Sequence, residues 1–126
     1  MFYITKGISF DACHFLPRHV GKCANMHGHT WKVAVTVCGQ DLEAVGPNSG
    51  MILDFAHLKS LMKVHIADRF DHKMLNDELY NPTAENIAFD IYYALEKHWA
   101  GTELKYKLHS VRVYEGDSSW AEYKED

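Results

Sequence analysis

Apolar and polar positions alternate at the start of the chain. In FYITKGISFDACHF, Phe2, Ile4, Ile8 and Phe10 share parity, and a period of two predicts a first strand. LPRHVGKCANMHG breaks that pattern with Pro17, Gly21 and Gly28 and reads as a loop. The clearest strand follows in HTWKVAVTVCG, where β-branched residues dominate and Val33, Val35 and Val37 fall on one face with His29 and Trp31. QDLEAVGPNSG reads as a turn region closing at Gly50.

The period then changes. From Asp54, an N-cap residue type, Phe55, Leu58, Met62, Ile66 and Phe70 recur at helical spacing. DHKMLNDELYNP reads as a connection without a repeat. A second helix is predicted from Thr83 as N-cap, with Glu85 in a first turn where the helix dipole favours a carboxylate, and with Ile87, Ile91, Leu95 and His98 as its buried stripe. YKLHSVRVYE and SWAEYK close the chain as a strand pair about Gly116 and Asp117. Strands grouped at both ends with helices between them predict one α+β domain over residues 1–126, ordered ββααββ, with an antiparallel sheet. A four-stranded sheet of that kind leaves two edges that association with other copies would satisfy.

Composition narrows the class. The chain has 126 residues, enough to bury a core without disulfides. A net charge of −4 argues against a nucleic-acid-binding face, which calls for a basic stripe. No apolar run approaches the roughly 18 residues that span a bilayer, and MFYITKGISFDA lacks the order of a signal peptide. Three cysteines, Cys13, Cys23 and Cys38, make an odd count and read as free thiols in a reducing cytoplasm. Nine histidines exceed ordinary usage, and four of them, His14, His19, His27 and His29, lie in the first thirty residues.

Spacing decides what the histidines can do. His27 and His29, at i and i+2 of a strand, project the same way and can converge on one metal; His14, at the end of the neighbouring strand, can supply a third imidazole. Three imidazoles with an open fourth position describe a catalytic zinc site, although imidazole also suits iron, copper and nickel. The ordinary alternative is that these are loop, surface and sheet histidines. Cys23 lies in a loop beside Lys22, where a cation or a metal would lower its thiol pKa; as an alternative it is a small buried hydrophobe, the reading preferred for Cys13 and Cys38. Asp71 beside His72 can form a proton relay, or be a chance neighbour pair. Glu115 ends VRVYE as an exposed carboxylate or as an acceptor for a planar, amidine-like edge. His57, His65, His98 and His109 show no convergent pattern.

Taken together, FDACHFLP, GKCANMHGHTWKVAVTV, GMILDFAHLK, FDHKMLN, NPTAENIA and VRVYE resemble, in order and spacing, the family of 6-pyruvoyl-tetrahydropterin synthase and its bacterial relative 6-carboxy-tetrahydropterin synthase. The resemblance runs nearly end to end. It implies the tunnelling fold, with two helices on one face of an antiparallel sheet, and subunits that pool their sheets into an oligomeric β-barrel, a hexamer favoured, with active sites at subunit interfaces. It further implies His14, His27 and His29 as ligands of zinc, Cys23 as the catalytic proton acceptor, Asp71 and His72 as the relay pair, and Glu115 as the pterin anchor that also serves the relay.

The three residues between Cys23 and His27 resemble the carboxy-forming enzymes of queuosine biosynthesis; animal pyruvoyl-forming enzymes carry an insertion there. The implied substrate is a pterin triphosphate, 7,8-dihydroneopterin triphosphate, and the implied products are 6-carboxy-5,6,7,8-tetrahydropterin, acetaldehyde and triphosphate, with no redox cofactor. The alternatives are the pyruvoyl-forming reaction on the same substrate, a pterin- or purine-binding module without turnover, and a zinc hydrolase, against which stands the lack of an HExxH helix. Two positions depart from the family pattern: Cys13, where relatives often carry alanine, and Gly116, where many carry threonine.

Overall fold

The computed structural model describes residues 1–126. Two thirteen-residue strands, β1 (Phe2–His14) and β2 (His27–Gly39), pair antiparallel in unbroken register from Phe2 opposite Gly39 to His14 opposite His27. β4 (Tyr106–Glu115) lies antiparallel on the other side of β2, and β5 (Trp120–Tyr123) closes against β4. A two-residue strand, β3 (Lys73–Met74), pairs parallel with β1 at Ala12 and Cys13, giving the order β3-β1-β2-β4-β5. The sheet is therefore mixed and five-stranded, where four antiparallel strands were expected. The segment expected as a plain connection holds β3 and a 3-10 turn, Leu75–Asp77. A two-residue strand has no room for an alternation and leaves no periodic signal.

The first helical segment begins as α1 (Phe55–Met62), where the Asp54 carboxylate accepts the Ala56 N–H at 2.8 Å. It widens into a π-helical stretch, Lys63–Ala67, and ends in the single turn α2 (Asp68–Phe70). The spacing predicts an unbroken α-helix here, and the spacing also explains why it is broken. Leu58, Met62, Ile66 and Phe70 recur every four residues, which drifts around a helix of 3.6 residues per turn. The wider π turn absorbs that drift, and all four side chains are fully buried. Phe55, expected in the same stripe, is 52% exposed and lines a shallow apolar groove with Phe2, Tyr3 and Met51.

The second long helix, α3 (Ala84–Trp99), starts as expected: the Thr83 hydroxyl accepts the Asn86 N–H at 3.1 Å and Glu85 stands in the first turn. Its buried stripe is Ile87, Ala88, Ile91, Tyr92 and Leu95. His98, expected to extend it, is exposed, and its ring packs edge-on against His65 at 5.2 Å.

Both helical segments cover one face of the sheet. Phe10, Trp31, Val33, Val35, Val37, Val111 and Val113 meet Leu58, Met62, Ile66, Ile87, Ile91 and Leu95 in a single core. Each such burial is worth about 1.5–3 kcal/mol, so the middle of the sheet is a stiff platform for whatever its ends carry. Cys38 is buried as expected of a small hydrophobe. Cys13, expected to be the same, is half-buried, because its strand position faces away from the helices and its thiol points at the Lys73 carbonyl, 4.0 Å away. No helix is long and apolar enough to cross a membrane.

Candidate active site and metal centre

Strand parity assembles the first cluster. His14 pairs in register with His27, and Ala12 with His29, so the three imidazoles share the helix-covered face at one end of β1 and β2. Glu115 ends β4 opposite Trp31, with the parity of Val111 and Val113, and reaches the same spot. One ligand atom from each of His14, His27, His29 and Glu115 lies within 4.8 Å of all the others. Trp31 forms the floor: its buried indole meets the rings of His14 and His29 edge-on at 4.9 and 5.4 Å, and its N–H donates to the Ala12 carbonyl at 3.3 Å.

The nitrogens that face inward are the ones free to bind a cation. His14 Nδ1–H donates to the Pro82 carbonyl at 2.8 Å, and His27 Nδ1–H donates to the Asn25 carbonyl at 2.7 Å. Each bond fixes the tautomer and leaves Nε2 as a lone pair, the arrangement found around metal-bound histidines. Those two Nε2 atoms then face each other at 2.9 Å, which is unfavourable unless a cation lies between them. His29 Nε2 is buried and lies 3.1 Å from a Glu115 carboxylate oxygen, but off the line a hydrogen bond requires, so it has no hydrogen-bond partner. Burial pushes the His14 imidazole below its ordinary value of 6.5, although the bond to Pro82 opposes this, and keeps it neutral as a metal ligand must be. On each of these counts the donor set fits a divalent metal.

A second cluster sits on an exposed turn between α2 and β3. His72 Nδ1 lies 3.0 Å from the Asp71 carboxylate, which leaves Nε2 free to take or give a proton. The Asp11 N–H also donates to that carboxylate, at 3.0 Å; this bond first, and His72 second, hold the Asp71 carboxyl below its ordinary value of 3.8. His72 has φ 58°, the one non-glycine residue in the left-handed region. Asp11, Cys13, Thr30, His72 and Lys73 line an open cleft of about 570 Å³ that His29 also borders.

The sequence expectations for the site divide accordingly. His14, His27 and His29 converge, and Asp71 pairs with His72. Glu115 joins the histidines at ligand distance, closer than a role as substrate anchor alone implies. Cys23 lies in a 3-10 turn, Lys22–Ala24, half-buried, with its carbonyl accepting the Leu16 N–H at 2.9 Å. Its thiol is not among the atoms that converge on the cluster, nor does it border the cleft. The carbonyls of Asn25 and Pro82 and the residues Asp11 and Thr30 went unnoticed in the sequence. A carbonyl leaves no mark in residue identity, and Asp11 and Thr30 read as ordinary outward-facing strand positions.

Residues 3–126 match the family model described as 6-pyruvoyl tetrahydropterin synthase. The chain is 41% identical to the 6-carboxy-5,6,7,8-tetrahydropterin synthase of Synechocystis, over 98% of this chain and 93% of that one. It is 34% identical to the 6-pyruvoyl tetrahydrobiopterin synthase of Homo sapiens, over 96% and 90% of the two chains. The fold matches the structure of Caenorhabditis elegans 6-pyruvoyl tetrahydropterin synthase with a TM-score of 0.80 at 27% identity, covering 99% and 96% of the two chains. The chain thus has the expected tunnelling-fold architecture and belongs to the 6-pyruvoyl tetrahydropterin synthase family.

Proposed function

We propose that the chain is a zinc-dependent 6-carboxy-5,6,7,8-tetrahydropterin synthase. It acts as a lyase on 7,8-dihydroneopterin triphosphate and, with one water from solvent, yields 6-carboxy-5,6,7,8-tetrahydropterin, acetaldehyde and triphosphate, in the cytoplasm and in the service of queuosine biosynthesis. The observation that carries the reading is the convergence of three imidazoles, two of them tautomer-fixed, beside a carboxylate, on a chain 34–41% identical to bacterial proteins named for this activity. The three-residue spacing from Cys23 to His27 favours the carboxy-forming over the pyruvoyl-forming reaction.

In this reading His14, His27 and His29 hold the zinc through their Nε2 atoms. Bound there, zinc supplies Lewis acidity that polarises the substrate's side-chain oxygens and acidifies the adjoining C–H. Cys23, as thiolate, accepts a proton on one side of the substrate side chain. His72 moves a proton at Nε2 on the other, and Asp71 holds its Nδ1–H and stabilises the imidazolium that forms. The Glu115 carboxylate accepts paired hydrogen bonds from the amidine-like edge of the pterin and fixes its orientation. Cys23 does not line the cleft that His72 borders, and the reading includes a homo-oligomer, a hexamer favoured, whose subunits contribute Cys23 and the Asp71–His72 pair to shared sites.

The distance from Glu115 to His29 favours a second assignment, in which Glu115 is a fourth ligand and the pterin anchor lies elsewhere. Glu115→Gln separates the two, since an anchor can be replaced without loss of metal and a ligand cannot. Product analysis tests the function itself. Mass spectrometry after incubation of the zinc-loaded oligomer with 7,8-dihydroneopterin triphosphate should find 6-carboxy-tetrahydropterin and acetaldehyde. A 6-pyruvoyl product would transfer the chain to the other activity of its family, and bound, unaltered substrate would reduce it to a binding module.

A further inference from the structure

His72 is 80% exposed and Asp71 is 42% exposed, so packing does not hold the dyad in place. What holds it is one residue of β1. The Asp11 N–H donates to the Asp71 carboxylate at 3.0 Å, and the Asp11 carbonyl accepts the His72 N–H at 2.6 Å. The next residue, Lys73, then pairs with Ala12 as β3 begins. The left-handed backbone of His72 persists because both sides of the turn are tied to the backbone of the same residue, one to its N–H and one to its C=O. Wherever Asp11 moves, the dyad moves with it.

Asp11 lies on the outer edge of β1, opposite Thr30 of β2. In an antiparallel ladder, a residue that turns its N–H and C=O to the outer edge makes no backbone bond to the residue opposite, and the two side chains come closer instead. At this rung the side chains supply the missing link: the Thr30 hydroxyl donates to the Asp11 carboxylate at 2.7 Å. Thr30 directly follows His29, on the strand that the metal cluster and the core hold rigid. A continuous chain of bonds thus runs from β2 through Thr30 and Asp11 to Asp71 and His72, along the wall of one cleft.

We infer that Thr30 and Asp11 are positioning residues for the Asp71–His72 dyad, with the Thr30 hydroxyl fixing Asp11 and the Asp11 peptide fixing both members of the dyad. The inference rests on the reading above that the dyad moves protons. Neither residue touches substrate in this scheme; both act through the placement of His72.

The test uses the zinc-loaded oligomer and five variants. Thr30→Val keeps the shape and removes the donor, and Asp11→Ala removes the acceptor while leaving the backbone bonds. Each should lower kcat about tenfold or more, the scale of losing a partner that orients a functional group, with zinc content and KM unchanged. Thr30→Ser should restore most of the rate lost in Thr30→Val. In a His72→Ala background, Thr30→Val should cause no further loss, because there is nothing left to position. Wild-type kcat in Thr30→Val, an equal loss with and without His72, or loss of zinc would overturn the inference. Full turnover in His72→Ala alone would instead show that the dyad does no proton transfer, a failure of the reading beneath it. Should Thr30→Val not fold, the same comparison made with Asp11→Ala decides the matter.

Discussion

His14, His27 and His29 stand on two long paired strands with Trp31 beneath them, while His72 stands out in solvent on a turn whose backbone is in the left-handed region. Both places hold imidazoles through Nδ1, His14 and His27 in one and His72 in the other, but they achieve it differently. In the metal cluster, strand parity and core packing set direction, and the carbonyls of Pro82 and Asn25 set the tautomers of His14 and His27. At the turn, two backbone bonds to Asp11 and one carboxylate do everything. The difference teaches what each site tolerates. A metal centre needs fixed, desolvated lone pairs and gains from burial; a proton-transfer group needs access to a substrate and retains it by staying on an exposed turn.

The largest effect that would sharpen this contrast comes from the buried side. His27→Ala removes an inward-facing Nε2 that nothing else replaces, so metal content and turnover should be abolished together, well beyond the roughly 10–100-fold cost of losing only an outer partner. Elemental analysis alongside the assay checks this, and full metal content in the variant would break the assignment.

On the exposed side, His72→Gly should lower turnover by about 10²–10⁴-fold while leaving zinc in place. Because glycine adopts φ 58° without a Cβ clash worth on the order of 1 kcal/mol, the melting temperature should hold or rise. Activity and stability would then move in opposite directions, as they should at a strained functional turn; a clear drop in melting temperature would argue that His72 is structural.

The smallest effect is a pH dependence. The folded state holds the Asp71 carboxyl below its ordinary 3.8, chiefly through the Asp11 N–H. A depressed carboxyl contributes stability that is present above the unfolded value and is lost as pH falls through the lower, folded one. Wild type should therefore be slightly more stable than Asp71→Asn above about pH 5, and the two melting curves should converge in strong acid. A gap that widens as the pH falls would have the wrong sign.

Much of the buried half was legible in the sequence, for a physical reason. Strand parity is a property of residue spacing, so His27, His29 and the valines beyond them announce a shared face, and Asp54 and Thr83 announce helix starts by side-chain chemistry alone. The exposed half was legible only as two adjacent letters. Nothing in Asp71 and His72 reveals that a backbone amide of Asp11, sixty residues earlier, holds them, because peptide groups are the same in every residue. β3 was too short to leave a period. His98 and Phe55 fit the helical spacing but lie where the core no longer reaches, since spacing gives direction and says nothing of what stands opposite. Glu115 was singled out as the carboxylate that ends VRVYE, yet its approach to His29 depends on the pairing of β4 with β2, which only the fold supplies.

The division between a half-buried cluster able to hold a metal and exposed acid–base groups is tested most directly at Cys23, whose thiol stands apart from the converging ligand atoms. Zinc content and turnover measured on the same preparation of Cys23→Ala give the answer. The account predicts one zinc per chain, as in wild type, with turnover lower by about 10²–10⁴-fold. Loss of zinc from that variant would make Cys23 a ligand and contradict the account.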